Sequence, residues 1–323
     1  MKLTIIITVY NKEHYLKRAL NALLGQEGTV DGDYEILAVN DGSTDNSWAI
    51  LKDYSIRDSR VHILNQNNQG LSMARNNGLD AAFGEYVWFV DADDVISLNS
   101  VNAIIKATES RPDVIPLYAV TNGVERIRNQ ISPEVRTGKD VLLSNWEHCG
   151  VFWVMRKEFL INNNLRFFSG IYHEDAEFTP RMLYSAKSVK VIPHVLYTVY
   201  RDPNSITQIP KTKRAFDCLT VAERLNHFKI ENKEQGTDIG RVIDYNISVI
   251  VNNGFHVICF NTRQEQKLFN KVFDSKRELI CPLMTSGHLK YRIEALIFKL
   301  FPINYVGIYK FLNYFNRRQK DRL

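Results

Sequence analysis

The sequence predicts an α/β protein with an open, mostly parallel central sheet carrying helices on both faces, followed by a C-terminal helical region. Three observations carry this. The apolar runs LTIIITV, YEILAVN, RVHIL and EYVWFVD recur through the first ninety residues. Between them lie segments of helical spacing such as KEHYLKRALNALLGQ and DNSWAILKDYSIRD, and alternation of strand with helix implies parallel pairing. From about Lys211 the pattern becomes helical: RAFDCLTVAERLNHFKIEN and GRVIDYNISVIVNNGFHVICF set apolar residues three and four apart.

Taken in order, the first run is β-branched, lacks a small-residue cleavage site and ends in charge, so it reads as a buried strand and not as a secretion signal. Each early run exits into polar residues: Tyr10 and Asn11, Asn40 and Asp41, Asn65 to Asn68, and Asp91 to Asp94. Open α/β sheets collect ligands outside the carboxyl ends of their strands, which makes these exits the candidate site. DVIPLYAV reads as a fifth strand. Beyond Pro133 the text is less regular, with strand-like VFWVMR and KSVKVI, helix-like DAEFTPRMLYSA and extended VLYTVYRDPNSI, and is read as the second half of one domain. Pro203 and Pro210 bracket its end. The expected organisation is a domain over residues 1–210, halved near residue 120, and a helical region over 211–323.

Composition narrows the function classes. The net charge is +5, but the stretch from Leu289 to Leu323 holds eight basic residues against Glu294 and Asp321, a net of +6, so the rest of the chain carries −1. A general nucleic-acid surface is therefore not expected, whereas an anionic partner for the tail is. Cys149, Cys218, Cys259 and Cys281 are far apart and read as inert buried thiols of a reducing compartment. No run reaches the roughly 18 apolar residues that span a bilayer. The expected location is cytoplasmic, with the tail able to rest on the inner face of the membrane.

The segment WFVDADDVIS drives an apolar strand into three carboxylates within four positions. Such a cluster favours a divalent cation or ligand donors, or else Asp93 and Asp94 are solvated and cap a helix starting near Leu98. A calcium-binding EF-hand loop is excluded because Ile96 and Asn102 stand where glycine and glutamate are required. In VNDGSTDNSWAI, Asp41 is an acceptor suited to the imide or amine hydrogen of a base, or an organiser of the turn that Gly42 permits. In NQGLSMARNNGLDAAFGEY, Gly70 allows close backbone approach, and Arg75, placed against the helix dipole, answers an anion: the acidic cluster or a phosphate. Tyr10 offers an aromatic face for stacking or fills core.

Taken together, TVYN, VNDGSTDNS, QGLSMARNNGLDAAFGEYVWFVDADD and GIYHEDAEFTPRML resemble, in order and spacing, the inverting glycosyltransferases of family 2 with the GT-A fold. The resemblance covers about Lys2 to Thr207 and leaves the last hundred or so residues outside; Thr8 stands where many members have proline. It implies that Thr8, Val9, Tyr10 and Asn11 face the nucleotide, that Asp41 pairs with uracil, and that Gly70 and Arg75 lie over ribose and diphosphate. It also implies that Asp91, Ala92 and Asp93 form a DxD motif, with Asp93 on a divalent metal, Mn2+ or Mg2+, and Asp91 toward the ribose and metal. Arg201 would close over the diphosphate.

Inverting transfer needs a base, because the acceptor hydroxyl is far too weak an acid to ionise alone. In HEDAEF the residues themselves do not separate Asp175 from Glu177; the resemblance implies Asp175 as the base, with Glu174 holding it or the acceptor. An acidic first turn of a helix is the plainer reading of the same residues. No HExxH follows His173, so a zinc protease is dismissed. Trp153, in a segment resembling the acceptor side, would stack on a sugar or fill core.

The expected function is transfer of a sugar from a nucleotide donor, UDP-linked, to a hydroxyl of a glycan or lipid-linked saccharide in cell-surface polysaccharide synthesis. The rivals are a non-catalytic nucleotide-sugar or glycan binding protein and a sugar nucleotidyltransferase. The latter requires a glycine-rich basic loop after the first strand, which TVYNKEHYL lacks. The tail, YRIEALIFKLFPINYVGIYKFLNYFNRRQKDR, suits either an interfacial helix pair on anionic lipid or helices packed on the catalytic domain with a basic rim.

Overall fold

The computed structural model describes residues 1–200, 212–302 and 304–320. Arg201, Pro203 and Pro210, and with them the expected diphosphate-closing position and domain boundary, lie outside the described residues.

The β-branched opening run forms β1 (Leu3–Val9), flanked in the sheet by parallel β2 (Tyr34–Asp41) and, on its other side, by the last of the first four strands. Between them, α1 (Glu13–Leu24) buries Leu16, Ala19, Leu20 and Leu23, the spacing that puts one apolar stripe on a helix. The chain continues through α2 (Ser47–Arg57), β3 (Val61–Gln66), α3 (Leu71–Ala81) and β4 (Tyr86–Asp91). β1 and β4 are buried along almost their whole length and β2 throughout, as strands covered on both faces must be.

The second half is mixed. It comprises β5 (Val95–Ile96), α4 (Ser100–Thr108), β6 (Val114–Thr121), β7 (Val124–Arg128), α5 (Gly138–Leu142), β8 (Trp153–Arg156), α6 (Lys157–Asn162), α7 (Glu174–Ser185) and β9 (Ile192–Val199). Among the described residues nine strands form one sheet in the order β3-β2-β1-β4-β8-β6-β9-β5, with β7 paired to β6. β8 runs antiparallel to both β4 and β6, β9 runs parallel to β6, and β5 and β7 are antiparallel to their neighbours. Parallel pairing thus holds for the first four strands and for β6 with β9.

The helices α8 (Thr212–Glu231), α9 (Asp238–Ile258), α10 (Arg263–Ser275), α11 (Ile280–Thr285), α12 (Leu289–Leu300) and α13 (Tyr305–Lys320) complete the chain. Two compact units result: Met1–Gly170 with the described part of Phe178–Asp202, and Ile171–Glu177 with the described part of Pro203–Leu323. The first turn of α7 therefore groups with the helical unit. That unit's core is aromatic. Phe255 stacks on Tyr309 at 5.4 Å and meets Phe269 and Phe273 edge-on at 5.1 and 5.0 Å.

The four cysteines form no disulfide, and burial pushes the Cys218 thiol up to about 12. Only Cys218 is buried; Cys149 and Cys259 are half-buried and Cys281 is exposed, correcting the expectation that all four are buried.

Glu294 is buried in α12, accepting from Asn252 at 2.6 Å with Lys290 3.9 Å away. Burial raises its pKa above the ordinary value of 4.5, against the opposing pull of Asn252 and Lys290. Since the folded chain then holds the proton more tightly than the unfolded one, this contribution to stability is complete below pH 4.5 and is lost as pH rises through the raised value. Glu294→Gln is expected to flatten that decline, measured as a smaller drop in urea midpoint between about pH 4.5 and about pH 8.

Candidate active site

Parallel strands in register end at one edge, and here the polar exits end together. Thr8 of β1 lies beside Val39 of β2 and Asp91 of β4, and Asp41 of β2 lies beside Gln66 of β3. Val9 is fully buried, so only its backbone reaches the edge; Tyr10 is 45% exposed, which removes the reading of it as core. Asn11 takes a positive φ of 52° and ties two exits together. Its side-chain carbonyl accepts the Thr44 N–H at 2.8 Å, and its own N–H donates to Ser43 Oγ at 3.1 Å.

Asp41 is buried and organises the next loop. Its Oδ1 accepts from Gln66 Nε2 and the Gln69 N–H, both at 2.8 Å, and its Oδ2 accepts the Gly70 N–H at 2.9 Å. A carboxylate thereby sits at the positive end of α3, satisfying backbone donors that a helix start leaves over. The geometry relies on two glycines. Gly70 has φ +84°, and Gly42 has φ +70° with its missing Cβ position 2.7 Å from the Asn68 nitrogen.

Arg75 is buried on α3, reaching Asp91 Oδ1 at 3.2 Å and lying over the Phe167 ring at 5.1 Å. The anion it answers in this structure is the acidic cluster. Asp93 pairs with Lys12 Nζ at 2.5 Å, and Arg18 donates to the Asp93 carbonyl while lying over the Tyr200 ring at 3.7 Å. Asp94 turns inward, in contrast to the reading of it as a solvated cap. The Tyr197 hydroxyl donates to its Oδ2 at 2.7 Å and accepts the Asp91 N–H at 3.1 Å, while the Tyr200 N–H donates to its Oδ1 at 2.8 Å. The helix α4 begins after Asn99 instead. Burial first, and the Asp91 charge next, push Asp94 up to about 7. Lysine, arginine and a tyrosine hydroxyl therefore share the acidic load at the end of β4. Lys12, Arg18, Tyr197 and the inward role of Asp94 are all absent from the sequence reading.

The donor set tests whether a divalent ion fits. Asp91 and Asp93 offer only carboxylate oxygens, the chemistry of Mg2+ and Mn2+. Among the described residues no three or more His, Cys, Asp or Glu side chains converge on a metal position. An ion here would thus take one or two protein carboxylates and complete its shell from a ligand or water, as magnesium sites commonly do. The residues fit on those terms.

In the helical unit, α7 opens with Glu174 and Asp175, both half-buried; Asp175 Oδ1 accepts the Ala176 N–H at 2.8 Å. Glu177 is fully buried and takes the Arg224 Nε–H at 2.9 Å. That commits Glu177 to holding the first turn of α7 on α8 and separates two carboxylates that the sequence left equivalent. His173 adopts φ 64°, and burial lowers its pKa, with Arg214 adding to the effect.

Trp153 corrects an expectation. It is 0% exposed in β8, opposite Pro116 of β6, and presents no face to a sugar. Trp153→Ala is expected to cost about 3–5 kcal/mol, read as a lower urea midpoint, because a large buried side chain leaves a cavity.

Residues 4–164 match the family model described as Glycosyl transferase family 2. A relative in Escherichia coli (strain K12), the uncharacterized glycosyltransferase YibD, is 32% identical over 225 residues, covering 64% of this chain and 64% of that protein. The match thus spans less than two thirds of that relative's length. Among solved structures, S. aureus TarS 1-349 in complex with UDP-GlcNAc superposes with a TM-score of 0.76 at 18% identity, covering 99% of this chain and 92% of that one. The mannosyltransferase PcManGT from Pyrobaculum calidifontis, in complex with GDP-Man and Mn2+, gives a TM-score of 0.52 at 13% identity, covering 93% and 87%. The chain belongs to glycosyltransferase family 2, and its fold is GT-A.

Proposed function

We propose that the protein is a metal-assisted inverting glycosyltransferase, moving a sugar from a UDP-linked donor to a hydroxyl of a saccharide or lipid-linked saccharide acceptor in cell-surface polysaccharide synthesis. The observation that carries this reading is the joint placement of Asp41, the Gly70 loop, Arg75 and Asp91–Asp93 at one edge of parallel strands.

In this reading Tyr10 stacks on the base. Asp41 holds the loop with three of its roughly four lone-pair directions and offers the remaining one to the uracil imide N–H. The likeness to a TarS structure holding UDP-GlcNAc favours uridine. Thr8, the backbone of Val9 and Asn11 frame the nucleotide, and Arg75 with Arg201 balances the diphosphate. Asp93 and Asp91 would hold a divalent ion, Mn2+ or Mg2+, together with the donor phosphates. When bound, such an ion supplies Lewis-acid neutralisation of the charge on the departing diphosphate. Asp93 holds Lys12 through Oδ2 here, so an ion would either take Oδ1 and share the carboxylate with Lys12 or displace the lysine.

The Asp175 carboxylate takes the acceptor's hydroxyl proton as the oxygen bonds to the anomeric carbon. The bond from that carbon to the diphosphate oxygen breaks on the opposite face, and the electron pair leaves with the nucleoside diphosphate. Glu174 orients the acceptor or the base. A donor panel tests the proposal. The protein is incubated with manganese and UDP-glucose, UDP-galactose, UDP-GlcNAc or GDP-mannose, and nucleoside diphosphate release is measured. Release from one UDP-sugar is expected; no release from any donor, with or without candidate acceptors, would count against it.

A further inference from the structure

The helix α12 carries an apolar face that the fold does not use. Leu289, Ile293, Leu296 and Leu300 are 71, 43, 49 and 70% exposed, and Phe301, just past the helix end, is 61% exposed. Their spacing of four, three and four places all four on a single stripe. The opposite side does the packing: Glu294, Ala295 and Phe298 are buried in the helical unit. Four aliphatic side chains in a row facing water is not the residue of an amphipathic helix packed by its only apolar side. It is a second apolar face.

The flanks are basic. At about 100° per residue, Arg292 and Lys299 lie within about 90° of the stripe on one side and Lys290 on the other. All three are exposed, and Lys290 also touches Asn252 at 2.9 Å. Lys310 of α13 is exposed as well. The same stretch holds the +6 that sets the tail apart from a chain otherwise at −1.

We infer that α12 lies in the plane of an anionic phospholipid surface, with Leu289, Ile293, Leu296 and Leu300 in the acyl boundary and Arg292, Lys299 and Lys290 among the head groups. An apolar stripe with cations on both flanks is the arrangement that suits such an interface. The helix, 12 residues long and so about 18 Å, is too short to span a bilayer, and among the described residues no helix is long and apolar enough to cross one. A second copy of the chain is a poorer occupant, because pairing two such faces sets their basic flanks against each other. Anionic lipid neutralises them.

The test is flotation of the full chain with vesicles, and it needs no donor, acceptor or metal, so it reads the helix face apart from sugar transfer. The chain is expected to float with vesicles of phosphatidylcholine and phosphatidylglycerol. Recovery should fall at least tenfold on pure phosphatidylcholine, and at least tenfold in the Ile293→Glu/Leu296→Glu variant. Both replaced residues are exposed, so the variant should keep the wild-type urea midpoint. Arg292→Glu/Lys299→Glu should lose anionic vesicles by a similar factor. Absence of flotation, or flotation that either double variant leaves unchanged, would overturn the inference. So would a concentration-dependent dimer in light scattering that the Ile293→Glu/Leu296→Glu variant dissolves, since that assigns the face to a second copy.

Discussion

Asp175→Asn is expected to reduce turnover by about 10²–10⁴-fold while nucleotide affinity stays within about threefold of wild type. The substitution keeps the size and one acceptor of the side chain, so the contact with the Ala176 N–H survives, but the amide cannot take a proton. A loss confined to kcat is the signature of an interaction made only as the reaction proceeds. Glu177→Gln supplies the contrast. Glu177 is buried on Arg224, so its loss strands a charged partner and acts on stability, not on the chemical step. Stopped turnover in Asp175→Asn with intact nucleotide binding supports the role of base; unchanged turnover removes it.

The second large effect belongs to Asp93. Asp93→Ala is expected to lower turnover by about 10²–10³-fold and to raise the manganese concentration needed for half-maximal rate, because one carboxylate is lost from a site that has few. Asp93 is partly exposed just past β4, and among the described residues its side chain holds only Lys12, so the fold should tolerate the change. Asp94→Ala should behave differently. Asp94 is held by Tyr197 and the Tyr200 backbone, and truncation removes an acceptor from buried donors, so a fall in thermal midpoint is expected there. Activity rates across a manganese titration, compared with melting curves, distinguish the two aspartates.

Much of the first half was legible because its signals are local. β-branched runs, turn glycines and a helix start after each strand all lie within a few residues of one another, and β1 to β4 with α1 to α3 follow them closely. The second half was harder for physical reasons. β7 is the charged stretch VERIR, almost wholly exposed, with no apolar alternation to mark it. β8 is a short run whose antiparallel direction is decided by β4 and β6, not by its own residues. β9 begins at Ile192, past most of the KSVKVI run, where pairing with β6 starts. A signal did exist for α10, since Thr262 and Glu265 form a reciprocal cap, a pattern visible as TRQE.

At the candidate site, residue types marked strand exits that the structure gathers at one edge, but not the partners they meet there. Asp94 is turned inward by Tyr197, 103 positions away, and no spacing rule reaches that far. Lys12 follows Asn11 directly, yet a single lysine after a strand carries no pattern; only the fold brings it to Asp93. Trp153 was ambiguous between stacking and core, and burial in β8 decides it. The two carboxylates of the α7 turn became distinguishable through Arg224, contributed by α8.

The central claim is that the carboxyl edge of β1, β2 and β4 seats a nucleoside diphosphate. A crystal grown with UDP and manganese tests it most directly. The expected density has uracil against Tyr10 and Asp41, and the diphosphate sharing an ion with Asp93. Nucleotide bound away from that edge, or an ion bound with Asp93 still closed on Lys12 and no phosphate beside it, would contradict the account.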